Sequence, residues 1–157
     1  MDNELKQDFT RRLSQCNKGE MIVIIYDIYF AYTKEAKEFY KGKEHEEFKN
    51  SIKKAQNTLD ELMYSLDFKY PLAKSLKELY VYCKMELSKA LYENKLDRVD
   101  SANHIMEKLY EGFKEAAKED KSAPLMCNAH KVVAGMTYGR NDLTENCLND
   151  TNRGFLV

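Results

Sequence analysis

Tryptophan is absent from the 157 residues, proline occurs twice and glycine six times. So few helix breakers exclude collagen-like and proline-rich disordered architectures. Charge of one sign is not in excess either: 25 Lys+Arg stand against 26 Asp+Glu, a net charge of −1. Nucleic-acid binders usually carry a basic excess or stripe, so this balance argues against that class. Long apolar runs are missing. The longest, Met21-Ile22-Val23-Ile24-Ile25, is far too short to span a bilayer, and Met1 to Glu4 holds two acids and no base, unlike a signal peptide. Membrane insertion is therefore not expected. Cys16, Cys83, Cys127 and Cys147 include no C-x-x-C pair, which excludes a zinc ribbon or thioredoxin-type motif. Four widely spaced cysteines without a secretion signal read as reduced thiols in a cytoplasmic protein.

What is present is helical periodicity, along most of the chain. Four runs of apolar residues step by threes and fours: Met21, Ile25, Ile28, Tyr32, Ala36, Phe39; then Phe48, Ile52, Ala55, Leu59, Leu62, Leu66; then Leu72, Leu76, Leu79, Cys83, Leu87, Ala90; then Val99, Ala102, Met106, Leu109, Phe113, Ala116. Each is the seam of a helix buried in a bundle. Sustained period-two alternation is absent, so no strand is expected. Asn17 with Glu20 three positions on reads as a capping box. Gly42 is expected to end the first long helix in the left-handed conformation. Pro71 suits a first helical turn, and Asp97 is a plausible cap for the fourth helix. Short connections force neighbouring helices antiparallel. The expected fold is all-α: an antiparallel up-down four-helix bundle over residues 17–120. Residues 1–16 form a short amphipathic helix, with Leu5, Phe9 and Leu13 on one face. Residues 121–157 form a short fifth helix (Leu125 to Tyr138) and an extended, turn-rich tail ending in Phe155-Leu156-Val157.

Catalytic and metal-binding constellations are missing. Di-iron bundles need Glu-x-x-His, but the residues three before His45, His104 and His130 are Gly42, Ser101 and Cys127. No phosphate-cradling Gly-rich loop follows a strand. Asp100 and His104, one turn apart, read as a structural pair. His104 is the candidate for a phosphotransfer bundle, yet the acid at Glu107 would repel a phosphoryl group. No catalytic, cofactor-binding or metal site is assigned.

Tyrosine, by contrast, occurs 11 times. Tyr26, Tyr29 and Tyr80 read as core or half-core. Tyr64, Tyr82 and Tyr92 lie off the seams beside Met63, Val81, Met85 and Leu91. Exposed tyrosines with adaptable Met neighbours suit a protein-binding groove; scattered surface positions fit them equally well.

Four stretches in series resemble one family. Asn17-Lys18-Gly19-Glu20-Met21-Ile22-Val23-Ile24-Ile25-Tyr26-Asp27 resembles the opening helix of the flagellin-specific export chaperone family, FliS. Ile52-Lys53-Lys54-Ala55-Gln56, with Leu59, Leu62, Leu66 and Asp67, resembles its second helix. Leu79-Tyr80-Val81-Tyr82, with Leu87 and Ala90, resembles the third, and Ile105 to Ala116 the fourth. The likeness covers roughly residues 15–120. Lys18 stands where the family has Pro, Gly19 where a glutamate is usual, and Phe113 where Trp is usual. The tail beyond about residue 124 exceeds a typical member.

The resemblance implies binding without catalysis or cofactor. The implied client is the disordered C-terminal segment of flagellin, held in the cytoplasm against premature polymerisation and kept competent for flagellar type III secretion. An export-gate component is the second implied partner, and both a monomer and a homodimer are compatible. Leu5, Phe9 and Leu13 would form a displaceable lid. The partner-facing set is then Leu5, Phe9, Leu13, Tyr26, Met63, Tyr64, Tyr82, Met85, Leu91 and Tyr92. Phe155-Leu156-Val157 would occupy a groove in cis or dock on a neighbouring chain. The alternative is a helical signalling or adaptor bundle of phosphotransfer type.

Overall fold

A computed structural model describes residues 3–126. They form α1 (Asn3–Gln15), α2 (Lys18–Lys41), α3 (His45–Tyr64), α4 (Leu72–Glu93) and α5 (Asp97–Glu119), with no strand among the described residues. Helices α2 to α5 close a ring in which each packs against its chain neighbours and α5 returns to α2. Helix α1 packs on α2 alone. Of the expected fifth segment, Leu125 to Tyr138, only Leu125 and Met126 are described, and neither is helical; its remainder and the tail lie outside the described residues.

Local chemistry sets the helix ends. The Asn17 side chain accepts the Glu20 N–H at 2.8 Å, and Glu20 accepts the Asn17 N–H at 3.0 Å, completing the capping box. Gly42 corrects an expectation. It stays right-handed (φ −74°), and the left-handed residue is Lys43 (φ 61°), one position later. The turn closes there because Lys43 and Glu44 donate back to Tyr40 and Phe39. Asn94 takes the left-handed role after α4 (φ 52°), as Asn tolerates better than most residues. Asp97 is not the cap of α5. Leu96 occupies that position, and Asp97 is the first helical residue, where its charge faces the positive end of the helix dipole. Asp100 pairs with Lys37 across α2 and α5 at 2.5 Å, whereas His104 is exposed.

The departure at Gly19 has a structural cause. An added Cβ would sit 2.9 Å from Asp120 Oδ2 and 3.3 Å from Ala117 Cα. The space is used by a clasp between the start of α2 and the end of α5. Gly19 N–H donates to Asp120 Oδ2 at 3.1 Å, Asn17 Nδ2 to the Asp120 carbonyl at 3.1 Å, and Leu125 N–H to the Cys16 carbonyl at 3.0 Å. The Ser122 N–H, and then Gly19, hold the Asp120 carboxyl below the usual range.

The core follows the expected seams in α3 but shifts in its neighbours. In α2 the fully buried stripe is Tyr26, Tyr29, Thr33 and Ala36, and Met21, Ile25, Ile28 and Tyr32 are only half-buried. In α4, Ala73 and Tyr80 are buried while Leu72 and Leu79 are exposed; in α5, Ala116 is exposed. Tyr26 and Tyr80 meet across the ring, their hydroxyls 2.7 Å apart. Tyr110 and Phe113 stack against Tyr26 at 5.9 and 5.5 Å between ring centroids. Phe113 therefore keeps the aromatic plug in place of Trp. One carboxylate is also buried: Glu86 is held by Lys89 at 2.7 Å and Arg98 at 3.3 Å, and the Lys89 bond keeps its carboxyl below the usual range.

Two stability predictions follow from this interior. Tyr26→Phe leaves the Tyr80 hydroxyl buried without its partner and should cost about 1–3 kcal/mol. The Tyr26→Phe, Tyr80→Phe double variant should cost less than the sum of the two single changes. Urea unfolding of all three checks this. Burial also pushes the Tyr26 and Tyr29 phenols far up, and the Tyr80 phenol and Cys83 thiol up to about 12. The unfolded chain releases these protons near the ordinary values of 9 for Cys and 10 for Tyr, while the fold retains them. The unfolded state then binds fewer protons, so stability should be flat from neutrality to about pH 8.5 and fall as pH rises further. The urea midpoint against pH reads this directly.

Candidate functional site

Helix α2 carries more apolar surface than the bundle core covers. Beyond its buried stripe it presents Met21, Ile24, Ile28 and Ala31 outward, and α1 lies on them. Phe9 (6% exposed) and Cys16 pack against Ile24, with Leu13 beside them, whereas Leu5 is 39% exposed at the far end of α1. Of the face expected from Leu5, Phe9 and Leu13, Phe9 and Leu13 thus seat α1 on α2, and Leu5 lies largely outside the contact.

Grooves flank α1 on both sides. One, of about 420 Å³, lies toward α3. Leu13, Met21, Ile25, Ile28 and Tyr32 line its apolar wall and Lys54 and Glu61 its rim. The other, of about 430 Å³, lies toward α5, with Val23, Ile24 and Ala117 as its floor and Arg12 and Lys114 at its rim. With α1 lifted away, the two would merge into one apolar trough along α2. A third groove, between α2 and α5, is lined by Phe30, Thr33, Lys37, Glu107 and Tyr110, and the Asn103 side-chain oxygen buried beside it has no hydrogen-bond partner among the described residues.

A polar latch fixes α1. Arg12 donates to Asp27 Oδ2 at 2.5 Å, and the Tyr110 hydroxyl donates to Asp27 Oδ1 at 2.7 Å. One carboxylate thereby joins α1, α2 and α5. Desolvation first, and then the Asp27 bond, push the Tyr110 phenol above its usual range. The Arg12 guanidinium also lies over the Phe9 ring, 5.7 Å from its centroid.

The remaining partner-facing expectations divide. Tyr26 is corrected: at 0% exposure, with its hydroxyl bonded to Tyr80, it is a core residue and has no surface to offer a partner. Met63 and Leu91 are half-buried shoulders of the bundle core. Tyr64 (84% exposed), Tyr82, Met85 and Tyr92 (94%) are on the surface. Tyr82 and Met85, three residues apart on α4, share a patch with Val81 and Leu79. Tyr64 and Tyr92 do not join it into one groove. They stand at opposite ends of the bundle, about 30 Å apart at the rise of an α-helix.

Sequence reasoning assigned Met21, Ile25, Ile28 and Tyr32 to the core seam and missed them as groove residues. The signal was the five consecutive apolar residues opening α2. Five consecutive apolar residues point to every side of a helix, so that turn must be covered on every side.

Arg12→Ala should loosen α1 without unfolding the bundle. A half-exposed ion pair contributes about 1 kcal/mol or less, so amide exchange across 3–15 should rise by up to about fivefold while α3 and α4 remain protected. Hydrogen-exchange mass spectrometry separates the two.

A search among curated proteins finds no match. Set against families of known proteins, residues 1–120 match the one described as Flagellar protein FliS. No helix among the described residues is long and apolar enough to cross a membrane. The family is one of chaperones rather than enzymes, and its helical bundle is the architecture found here. With the match extending from α1 through the end of α5, this chain belongs to the FliS family of flagellar export chaperones.

Proposed function

We propose that this chain is a cytoplasmic, non-catalytic chaperone for the C-terminal segment of flagellin. The segment would bind as amphipathic helices laid along α2, in the place α1 occupies. The observation that carries the reading is α1 itself, an amphipathic helix whose Phe9 and Leu13 rest on Met21, Ile24 and Ile28. A surface that accepts one such helix has the shape and polarity for another presenting i, i+3, i+4 anchors. The exposed α4 patch around Tyr82 and Met85, with Tyr64 and Tyr92 beyond it, offers contact area for a further stretch of the same client.

The physical logic is competition. A disordered client with an apolar stripe would otherwise pair with other copies of itself. Folding on the chaperone typically buries on the order of 1,000–3,000 Å², and the ordering cost offsets several kcal/mol of that gain. Displacing α1 offsets more. The product is a complex strong enough to protect the client yet able to surrender it to an export-gate component of the flagellar secretion apparatus.

The test is titration of a flagellin C-terminal fragment into the full chain. Phe9→Ala with Leu13→Ala weakens the competitor and should tighten client binding at least about fivefold, because apparent affinity scales with the open fraction. Ile28→Asp places a charge in the trough and should weaken binding by about tenfold or more. Absence of binding, or indifference to both changes, would overturn the reading.

A further inference from the structure

The groove between α2 and α5 encloses about 410 Å³, and an interhelical contact stands at each end of it. Lys37 reaches Asp100 at 2.5 Å at one end, and Tyr110 donates to Asp27 at 2.7 Å at the other. The Phe30 and Tyr110 rings meet edge to face beside the second contact, 5.5 Å between centroids. Asn103 lies deepest. It is only 8% exposed, and its side-chain oxygen accepts no hydrogen bond among the described residues. Thr33, across the groove on α2, is buried as well and donates its hydroxyl to the Phe30 carbonyl at 3.2 Å, so only acceptor capacity remains on it. A buried acceptor without a donor destabilises the fold, and an apolar side chain of the same shape would avoid that cost.

The rim above this floor carries both signs of charge. Lys34 and Glu107 are exposed, and neither makes an ion pair among the described residues. Lys37 is matched by Asp100, so the formal charges around the groove cancel. A neutral guest is thereby favoured over an ion. It must bring an N–H for the Asn103 oxygen, and it gains from a carbonyl that the Lys34 ammonium can reach. A primary carboxamide has two N–H donors and a carbonyl at one planar end, and its flat faces suit the ring walls.

We propose that this groove binds the carboxamide of a Gln or Asn side chain presented by a partner polypeptide. The amide nitrogen donates to Asn103 Oδ1 and to Glu107, and the carbonyl accepts from Lys34. Selectivity comes from Asn103, because a site built around a buried acceptor rejects a guest that lacks the donor. The Asp27–Tyr110 contact separates this groove from those flanking α1, so it is a contact additional to the trough along α2.

The test is an NMR titration of the full chain with propionamide, which is the Gln side chain cut at its β carbon. Guanidinium chloride and propionate serve as ionic controls. Propionamide should give saturable shifts at Asn103, including its side-chain NH2, and at Thr33 and Glu107, with an affinity of about millimolar or weaker, as suits so small a ligand. Neither ion should saturate there over the same range. Asn103→Leu should weaken propionamide binding at least about tenfold and leave the thermal midpoint unchanged or higher. Lys34→Ala, at an exposed position that the fold does not use, should weaken binding about threefold and keeps the test open if the Asn103 variant does not fold. A blocked Gly-Gln-Gly peptide should bind in the same place, and its Gly-Glu-Gly counterpart should not.

No saturable shift with propionamide would mean that solvent alone satisfies the oxygen, and would overturn the site. Saturation by either ion overturns the neutral guest, and propionamide binding that survives Asn103→Leu overturns the role of that residue. A Gln peptide that fails where propionamide binds overturns the polypeptide source. No flagellin is present in these samples, so the outcome is independent of the client reading above.

Discussion

The constraint that organises this molecule is the excess apolar surface of α2. One face of the helix fills the bundle core with Tyr26, Tyr29, Thr33 and Ala36, and a second still carries Met21, Ile24 and Ile28. A four-helix ring has no remaining helix to cover that second face. Leaving several aliphatic side chains in water costs about 25 cal/mol for each Å² of apolar area. The short N-terminal helix resolves the conflict. It is itself polar on most of its surface, and only Phe9, Leu13 and Cys16 make the seal. The cover is slight, and under the proposed function its displacement would give a client access to the greasy surface beneath.

The interior beneath is specified by polar contacts as well as by fit. The Tyr26–Tyr80 hydroxyl pair fixes the register of two helices that do not otherwise adjoin in the ring. Buried polar pairs of this kind add little net stability but penalise every register that separates them. Glu86, flanked by Lys89 and Arg98, has the same effect at the α4–α5 seam. The latch at Asp27 belongs with these contacts, but it lies nearer the surface. It can open without exposing an unpaired charge to the core, because Tyr110 stays bonded to the carboxylate.

Much of this was legible in the sequence. The α3 seam from Phe48 to Leu62 gave its buried face directly because one side of that helix is polar throughout. The capping box at Asn17 was readable because both partners are local. Features set by distant chain were less accessible. Lys43 rather than Gly42 turns left-handed because backbone bonds to Phe39 and Tyr40 close the turn one residue later. Tyr80, read as core or half-core, is buried, but the seam position Leu79 beside it is exposed; the partner of the Tyr80 hydroxyl lies across the ring, which no window of sequence contains. In the site, the spacing of Phe9 and Leu13 announced a packed face, but the surface they pack on was hidden. The outward residues of α2 step by threes and fours just as its inward ones do, and periodicity cannot rank two apolar stripes on one helix.

The clasp joining Asn17 and Gly19 to Asp120 has a topological meaning. It brings the two ends of the bundle within hydrogen-bonding distance, so the four helices form a nearly closed necklace. Ends that meet in this way mark folds that tolerate being cut elsewhere and rejoined. A circular permutant opened between α3 and α4, with residues 17 and 120 spliced, would keep every helix-to-helix neighbour in the ring. Helix α1 is then a pendant hung beside that fastening, outside the ring, and the beads beneath have an arrangement of their own.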